Sequence, residues 1–266
     1  MSAVKSAHCG IKTKRPIQEL AVTVPRPRTQ SREQLVDSAM AVFWKSGYFA
    51  TSMEDLVSAT GVSRGGIYTD FGGKEALFLA SLSAYRERFA APAIAILLGK
   101  TPNTRERQGA PPSPDDTRVQ GAPQEGLAAI GAYFDFVIKL HRRRGMPGPG
   151  CFCGNVMAEL ASHDVRVRDV IVDHMRELQS AFLHALLKEV DQRGCTLAPV
   201  ELESMAHFLA TASQGLWARA RSLTEVGELT RYKETLMALL ASHLDRCALD
   251  QSNSRAATVD RPSGQR

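Results

Sequence analysis

The sequence predicts an all-α protein, and three observations carry that reading. Apolar residues recur at three- and four-residue spacing through most of the chain, capping residues and glycines punctuate those stretches, and alternating β-branched runs and strand-flanked hairpin dipeptides are absent. With 266 residues and 44% apolar content, the chain has room for a small N-terminal module and a larger second domain, and it contains no internal repeat.

The first helix is expected between Thr29 and Gly47, where Leu35, Val36, Ala39, Met40, Val42 and Phe43 share a face and Gly47 stops it. Ser52, followed by Glu54 and Asp55, has the pattern of an N-cap with acids in the first turn, so a second helix runs to the break at Gly61. Ser63 caps a short third helix ending at Phe71, and Gly72-Gly73 separates it from a long fourth helix, Lys74 to Leu98, which Pro92 kinks or interrupts. The stretch 99–124 collects prolines with Gly, Asp, Arg and Gln, offers little to bury, and reads as a disordered insertion. Helices follow from Glu125 to Arg143, Asn155 to Ser162, Val165 to Arg193 (closed by Gly194), Pro199 to Trp217 and Glu228 to Leu244, which makes nine in all. The domains are therefore a disordered arm (1–28), a three-helix module (29–78), a helical second domain (79–248) and a disordered polar tail (249–266).

Charge and cysteine usage narrow the class. The formal charge is +5, and the arm concentrates Lys5, Lys12, Lys14, Arg15, Arg26 and Arg28, which suits either a solvated leader or contacts to a polyanion. No apolar run approaches the ~18 residues of a membrane span, and the first residues lack a signal-peptide core, so a cytoplasmic protein is expected. Five cysteines at scattered spacings read as reduced thiols rather than a disulfide framework. Nucleophile-elbow, phosphate-loop, zinc and paired-carboxylate signatures are missing, which argues against an enzyme and against a bound cofactor.

The most informative segment is Gly61 to Phe78, GVSRGGIYTDFGGKEALF: a turn, a short glycine-bearing helix and a lysine opening the next helix. Preceded by two helices that hold the short one outward, it reads as a helix-turn-helix whose third helix enters a DNA groove. Across about fifty residues the chain resembles the TetR/AcrR family of bacterial transcriptional regulators, through Ala39, Phe43, Gly47, Tyr48, Thr51-Ser52-Met53, Leu56, Ala59, Gly61-Val62-Ser63, Gly65, Tyr68, Phe71 and Lys74-Glu75-Ala76-Leu77-Phe78. The resemblance implies a nine-helix homodimer, with an N-terminal reader and a C-terminal body that binds a small-molecule inducer and dimerises through its last two helices. It implies release of a repressor from a pseudo-palindromic double-stranded operator. The alternative is a helical protein-interaction module that no longer binds DNA.

The candidate DNA contacts are Thr51, Ser52, Ser63, Arg64, Gly65, Tyr68, Thr69 and Lys74. Arg64 suits bidentate pairing with guanine or a phosphate contact; Gly65 and Gly66 remove side chains where backbones approach; Tyr68 resembles the family's phosphate-contacting tyrosine. Lys74 sits at a helix start, where an incoming phosphate would meet both free amides and an ammonium. Thr51 or Ser52 offers a hydroxyl to another phosphate, although capping accounts equally for Ser52. Thr69 and Asp70 depart from the aromatic and histidine residues of many members, so an operator sequence does not transfer.

In the second domain Phe134, Cys151, Cys153, Phe182 and Trp217 are candidate ligand residues, with Phe136, Phe152 and Phe208 further possibilities, and core packing is the competing account of the rings. Cys151 and Cys153 follow an arginine run near a helix start, both of which lower a thiol pKa, so sensing of an oxidant or electrophile and incidental burial are both open. No metal site is expected, because no histidine spacing completes Cys-x-Cys into a ligand set.

Overall fold

Side-chain caps set where the first helices begin. In the computed structural model residues 31–100 and 123–259 are described; the basic arm, most of the Pro-rich insertion and the last seven residues lie outside them. Ser31 and Gln34 form a reciprocal capping box that opens α1 (Arg32–Ser46), and Ser52 with Asp55 does the same for α2 (Met53–Thr60). Ser63 accepts the Gly66 amide to start α3 (Arg64–Phe71), and Gly61 and Gly72 end α2 and α3 in the left-handed conformation. Ile67 is fully buried, while Phe71 is partly buried with the Arg32 guanidinium 4.5 Å from its ring centre, so both anchor a helix too short to stand alone.

The long fourth helix is in fact three pieces: α4 (Lys74–Tyr85), a π-helical turn (Arg86–Ala90) and α5 (Ala91–Leu97). Pro92 lies in the first turn of α5, where its missing N–H costs nothing, and the wider turn just before it absorbs the clash a proline imposes on the preceding carbonyls. Counting that rod once, the described residues form nine helical units, joined by α6 (Gly126–Arg144), α7 (Phe152–Leu160), α8 (Val165–Arg193), α9 (Pro199–Arg219) and α10 (Gly227–Val259). No strand occurs among the described residues, and none of these helices is apolar and long enough to cross a membrane.

Two boundaries differ from the sequence reading. The short helix α7 starts at Phe152 rather than Asn155, because the Cys151 sulfur accepts the Gly154 amide at 3.3 Å and acts as the cap. The last helix continues to Val259, so the first part of the supposed tail is helical. One apolar core runs through both domains: α1 packs on α4, α5 on α6, and α8 on α6 and α9, with α10 against α6. Phe43, Trp44, Phe78, Tyr85 and Phe152 interlock edge to face where reader and body meet, and Phe89 packs at a tilt against Trp44.

Candidate nucleic-acid interface

The exposed side of α3 carries most of the predicted contacts. Ser63, Arg64, Gly65 and Thr69 are exposed, and Tyr68 keeps about half its surface in solvent (48%). A Cβ on Gly65 would meet nothing within 4 Å, whereas one on Gly66 would lie 2.8 Å from Val62 Cγ1. Gly65 thus leaves the helix surface open, while Gly66 is needed for packing inside the reader. Arg64 reaches only a loose, exposed pairing with Glu54 at 3.5 Å, and Thr69 donates its hydroxyl to the Gly65 carbonyl.

Lys74 opens α4, whose N-cap is Gly73; no side chain caps this end, and its first amides remain available to an anion. Its ammonium lies 4.3 Å from the centre of the Tyr48 ring. Partial burial lowers the Lys74 pKa, and the carboxylates of Glu159 and Asp55 pull it back up. Tyr68 packs beside Gly73, so tyrosine, ammonium and uncapped amides share one edge of the reader.

Two predicted contacts have their hydroxyls engaged within the reader itself. Thr51 is 1% exposed and donates its hydroxyl to the Gly47 carbonyl at 2.6 Å, which makes it a brace of the loop before α2 instead of a phosphate donor. Ser52 is exposed, but its hydroxyl donates to Asp55 at 2.7 Å while accepting the Asp55 amide, so capping occupies it fully. The sequence reading passed over Phe49, an aromatic residue left 64% exposed in that same loop.

Residues 35–81 match the model described as bacterial regulatory proteins, tetR family, and residues 126–236 match the tetracyclin repressor-like C-terminal domain. The chain belongs to the TetR family. The HTH-type transcriptional repressor ComR of Escherichia coli (strain K12) is 27% identical over 214 residues, covering 80% of this chain and 90% of ComR. The uncharacterized HTH-type transcriptional regulator YezE of Bacillus subtilis (strain 168) is 25% identical over 202 residues, or 76% of this chain and 92% of YezE. A cysteine mutant of the TetR family transcriptional regulator CifR, solved with 26 bp double-strand operator DNA, aligns with a TM-score of 0.60 at 21% identity, covering 80% of this chain and 98% of that one. That last likeness is one of fold. This TetR-family chain is a DNA-binding transcriptional regulator.

Phe134, Phe182 and Trp217, the rings expected beside a ligand, are packed in the regulator's interior. Phe134 and Phe182 are fully buried and pack with Tyr133, and Trp217 is buried with its ring 4.8 Å from that of His141; these rings are core. Phe152 belongs to the aromatic seam between the domains, and Phe208 points outward, 59% exposed. The open groove between α6 and α10, about 580 Å³, is lined by Leu127, Gly131, Asp135, Lys233 and Met237, none of which the sequence singled out.

Cys151 and Cys153 are buried free thiols at the start of α7. Sequence spacing offered no histidine to this pair, but the fold brings one: His174, from α8, offers a ring nitrogen, and the three ligand atoms all lie within 4.8 Å of one another. Hydrogen bonds from Cys153, His174 and the Tyr85 hydroxyl, the last at 3.4 Å, converge on the Cys151 sulfur and hold its pKa well below the usual thiol value despite burial. The same pairing, with burial, pushes Cys153 well up. The arginine run is not a cause of either shift: Arg144 stacks 3.9 Å from the centre of the Trp44 ring. Among the described residues, the only buried side-chain nitrogens or oxygens without a hydrogen-bond partner are His174 Nδ1, both ring nitrogens of His141, and Arg86 Nε. All three side chains act electrostatically on this thiol pair or respond to it.

Helix α7 is tied to the reader at both ends. The Trp44 indole N–H donates to the Gly150 carbonyl at 2.9 Å, next to Cys151. At the far end, the Glu159 carboxylate accepts the Tyr48 and Phe49 amides at 3.0 and 2.8 Å, and any Cβ on Gly47 would strike it. The cysteines therefore sit on the element that braces the loop beside the Tyr68–Lys74 edge.

Proposed function

We propose that this TetR-family protein is a homodimeric repressor that addresses a pseudo-palindromic operator through two copies of α3 and lets go when a small effector acts at the thiols of α7. The observation that carries the DNA reading is the shared edge formed by Tyr68, the Lys74 ammonium and the uncapped amides of α4, beside the open face of Gly65. Arg64 reads a base edge in the major groove, while Tyr68 and Lys74 hold phosphates and set the register. The relatives' printed names, repressor among them, favour repression.

Dimerisation through α9 and α10 is supported by large apolar side chains left in solvent along them: Val200 and Phe208 on α9, Leu239 and Leu249 on α10. A surface of that kind on adjacent helices suits a self-complementary four-helix contact. For release, an effector that binds or modifies the Cys151–Cys153 pair displaces the first turn of α7, and the Trp44 and Glu159 ties pass that displacement to the reader. The interaction-module alternative has no comparable support, since it leaves the open Gly65 face and the uncapped α4 terminus without a role.

Fluorescence anisotropy on the DNA upstream of the encoding gene tests the reading, with a scrambled duplex at equal salt as control. Specific binding by a species of twice the chain mass is expected. Equal affinity for both duplexes, or binding by monomer alone, refutes it.

A further inference from the structure

We propose that Cys151, Cys153 and His174 form a buried binding site for a thiophilic d10 metal ion, Zn2+ or Cu+, joining the start of α7 to α8. The inference specifies the effector of the thiol-directed release proposed above and rests on that reading only for its regulatory consequence.

The donor set is the first support. Two sulfurs and one imidazole nitrogen lie mutually within 4.8 Å, all three residues at least 95% buried, with no carboxylate among the ligands. Metal–ligand bonds of about 2.0–2.3 Å require only a modest closing of such a triangle. Thiolate and imidazole ligands select soft or borderline ions over Mg2+ and Ca2+, which demand oxygen.

The second support is the set of polar atoms left without partners. A buried ring nitrogen with no hydrogen bond is costly and calls for a missing partner. His174 Nδ1 is such an atom on a proposed ligand itself, and His141 and Arg86 add three more around the same thiols. A cation bound to two thiolates changes this balance. The Cys153 proton leaves to solvent on binding, so Zn2+ with two thiolates makes a neutral site, whereas Cu+ leaves one negative charge for the nearby Arg86 guanidinium to face.

Burial also separates an ion from other thiol-directed effectors. Cys151 and Cys153 are buried, with the Tyr85 hydroxyl 3.4 Å from the Cys151 sulfur, so a desolvated ion disturbs the packing there less than a bulky electrophile does, while a small alkylating agent still reports on their access. Because two ligands belong to α7 and one to α8, ion binding pulls the first turn of α7 onto α8. Gly150, held by Trp44, is the residue immediately before the first ligand.

The test uses reduced full-length protein, titrated anaerobically with Zn2+ and separately with Cu+, each against a chromophoric competing chelator. One ion per chain is expected, with Cys153→Ser and His174→Gln each weakening binding by roughly 100-fold or more, beyond the usual loss for an outer-shell change. Glu201→Gln is the control for the other donor cluster, Glu201, His243 and Cys247, and should leave the affinity unchanged. In case a variant fails to fold, the unsubstituted protein is mapped by alkylation, where the bound ion should protect Cys151 and Cys153. Binding of neither ion, binding that survives both ligand substitutions, loss with Glu201→Gln, or absence of thiol protection overturns the proposal. Operator binding is measured separately: an ion that binds at these residues without altering DNA affinity leaves the site standing and removes the effector role.

Discussion

Replacing Lys74 by alanine removes the ammonium at the α4 terminus while leaving the fold's buried contacts in place, since the side chain lies across the Tyr48 ring rather than in the core. A hydrogen-bonded contact between this ammonium and phosphate, discounted for its partial exposure, is worth about 1 kcal/mol. The proposed dimer carries two, so affinity should fall by about 2 kcal/mol, roughly 30-fold. The salt dependence gives a sharper measure. Losing two phosphate contacts reduces the slope of log K against log[salt] by about 1.8, so between 50 and 200 mM salt the wild type should lose about 12-fold more affinity than the variant. Anisotropy at four or five salt concentrations reads both numbers, with Lys188→Ala, on α8 and paired with Glu125, as a charge control. An unchanged slope in Lys74→Ala, or an equal change in the control, refutes the placement of phosphate at this terminus.

Other substitutions separate fold from function. Gly65→Ala adds a Cβ into open space and should keep or raise stability by up to about 1 kcal/mol while lowering operator affinity; Gly66→Ala, 2.8 Å from Val62, should lower stability instead, and denaturant midpoints with anisotropy distinguish the two. Trp44→Phe leaves the Gly150 carbonyl without its buried donor and should cost about 1–3 kcal/mol in urea unfolding; a loss under about 0.5 kcal/mol means the tie carries no weight. Burial, with a smaller contribution from Arg144, lowers the His141 pKa to about 4. The unfolded chain takes up that proton more readily, so the contribution is present above the ordinary histidine pKa of about 6.5 and is lost as pH falls from there toward 4, by an amount of order a few kcal/mol. Unfolding midpoints at pH 7.5 and 5 should converge in His141→Gln relative to the wild type.

The reader was legible because its determinants are local. Ser31, Ser52 and Ser63 cap the helices they precede, and Gly61 and Gly72 end them, all within one turn of chain. Thr51 was misread because a hydroxyl's direction depends on the loop it closes: the Gly47 carbonyl and the Glu159 carboxylate fold that loop inward, and Glu159 comes from a distant helix. His174 was illegible for the same reason. It meets the cysteines only when α8 packs on α7, and no ligand spacing within either helix records that contact. Phe208 shows a different limit: helical spacing marks an apolar side chain without saying whether its own core or a second surface covers it.

The proposed coupling of the two domains rests on the economy of their contact. Allosteric coupling requires a free-energy difference of typically about 1–3 kcal/mol between states. The Trp44–Gly150 hydrogen bond and the pair of charge-assisted bonds that the Tyr48 and Phe49 amides donate to Glu159 are each of about that size, so gaining or losing a single tie would be enough to shift the balance. The ties bracket a nine-residue helix, at Gly150 just before it and at Glu159 near its end, and its cap is itself a thiol bonded to the first turn. Converting the Cys151 sulfur from a hydrogen-bond acceptor into a metal ligand, or into an alkylated thioether, removes that cap and the acceptor for Tyr85 together. The Glu159 carboxylate also acts on Lys74 directly, raising its pKa, so moving α7 changes the charge environment at the phosphate edge as well as the shape of the loop. Under the proposed release mechanism, an effector at the cysteines would act on DNA affinity through geometry and electrostatics at once, and Glu159→Gln, which keeps an acceptor but removes the charge, should preserve reader stability better than the salt-dependent part of the response.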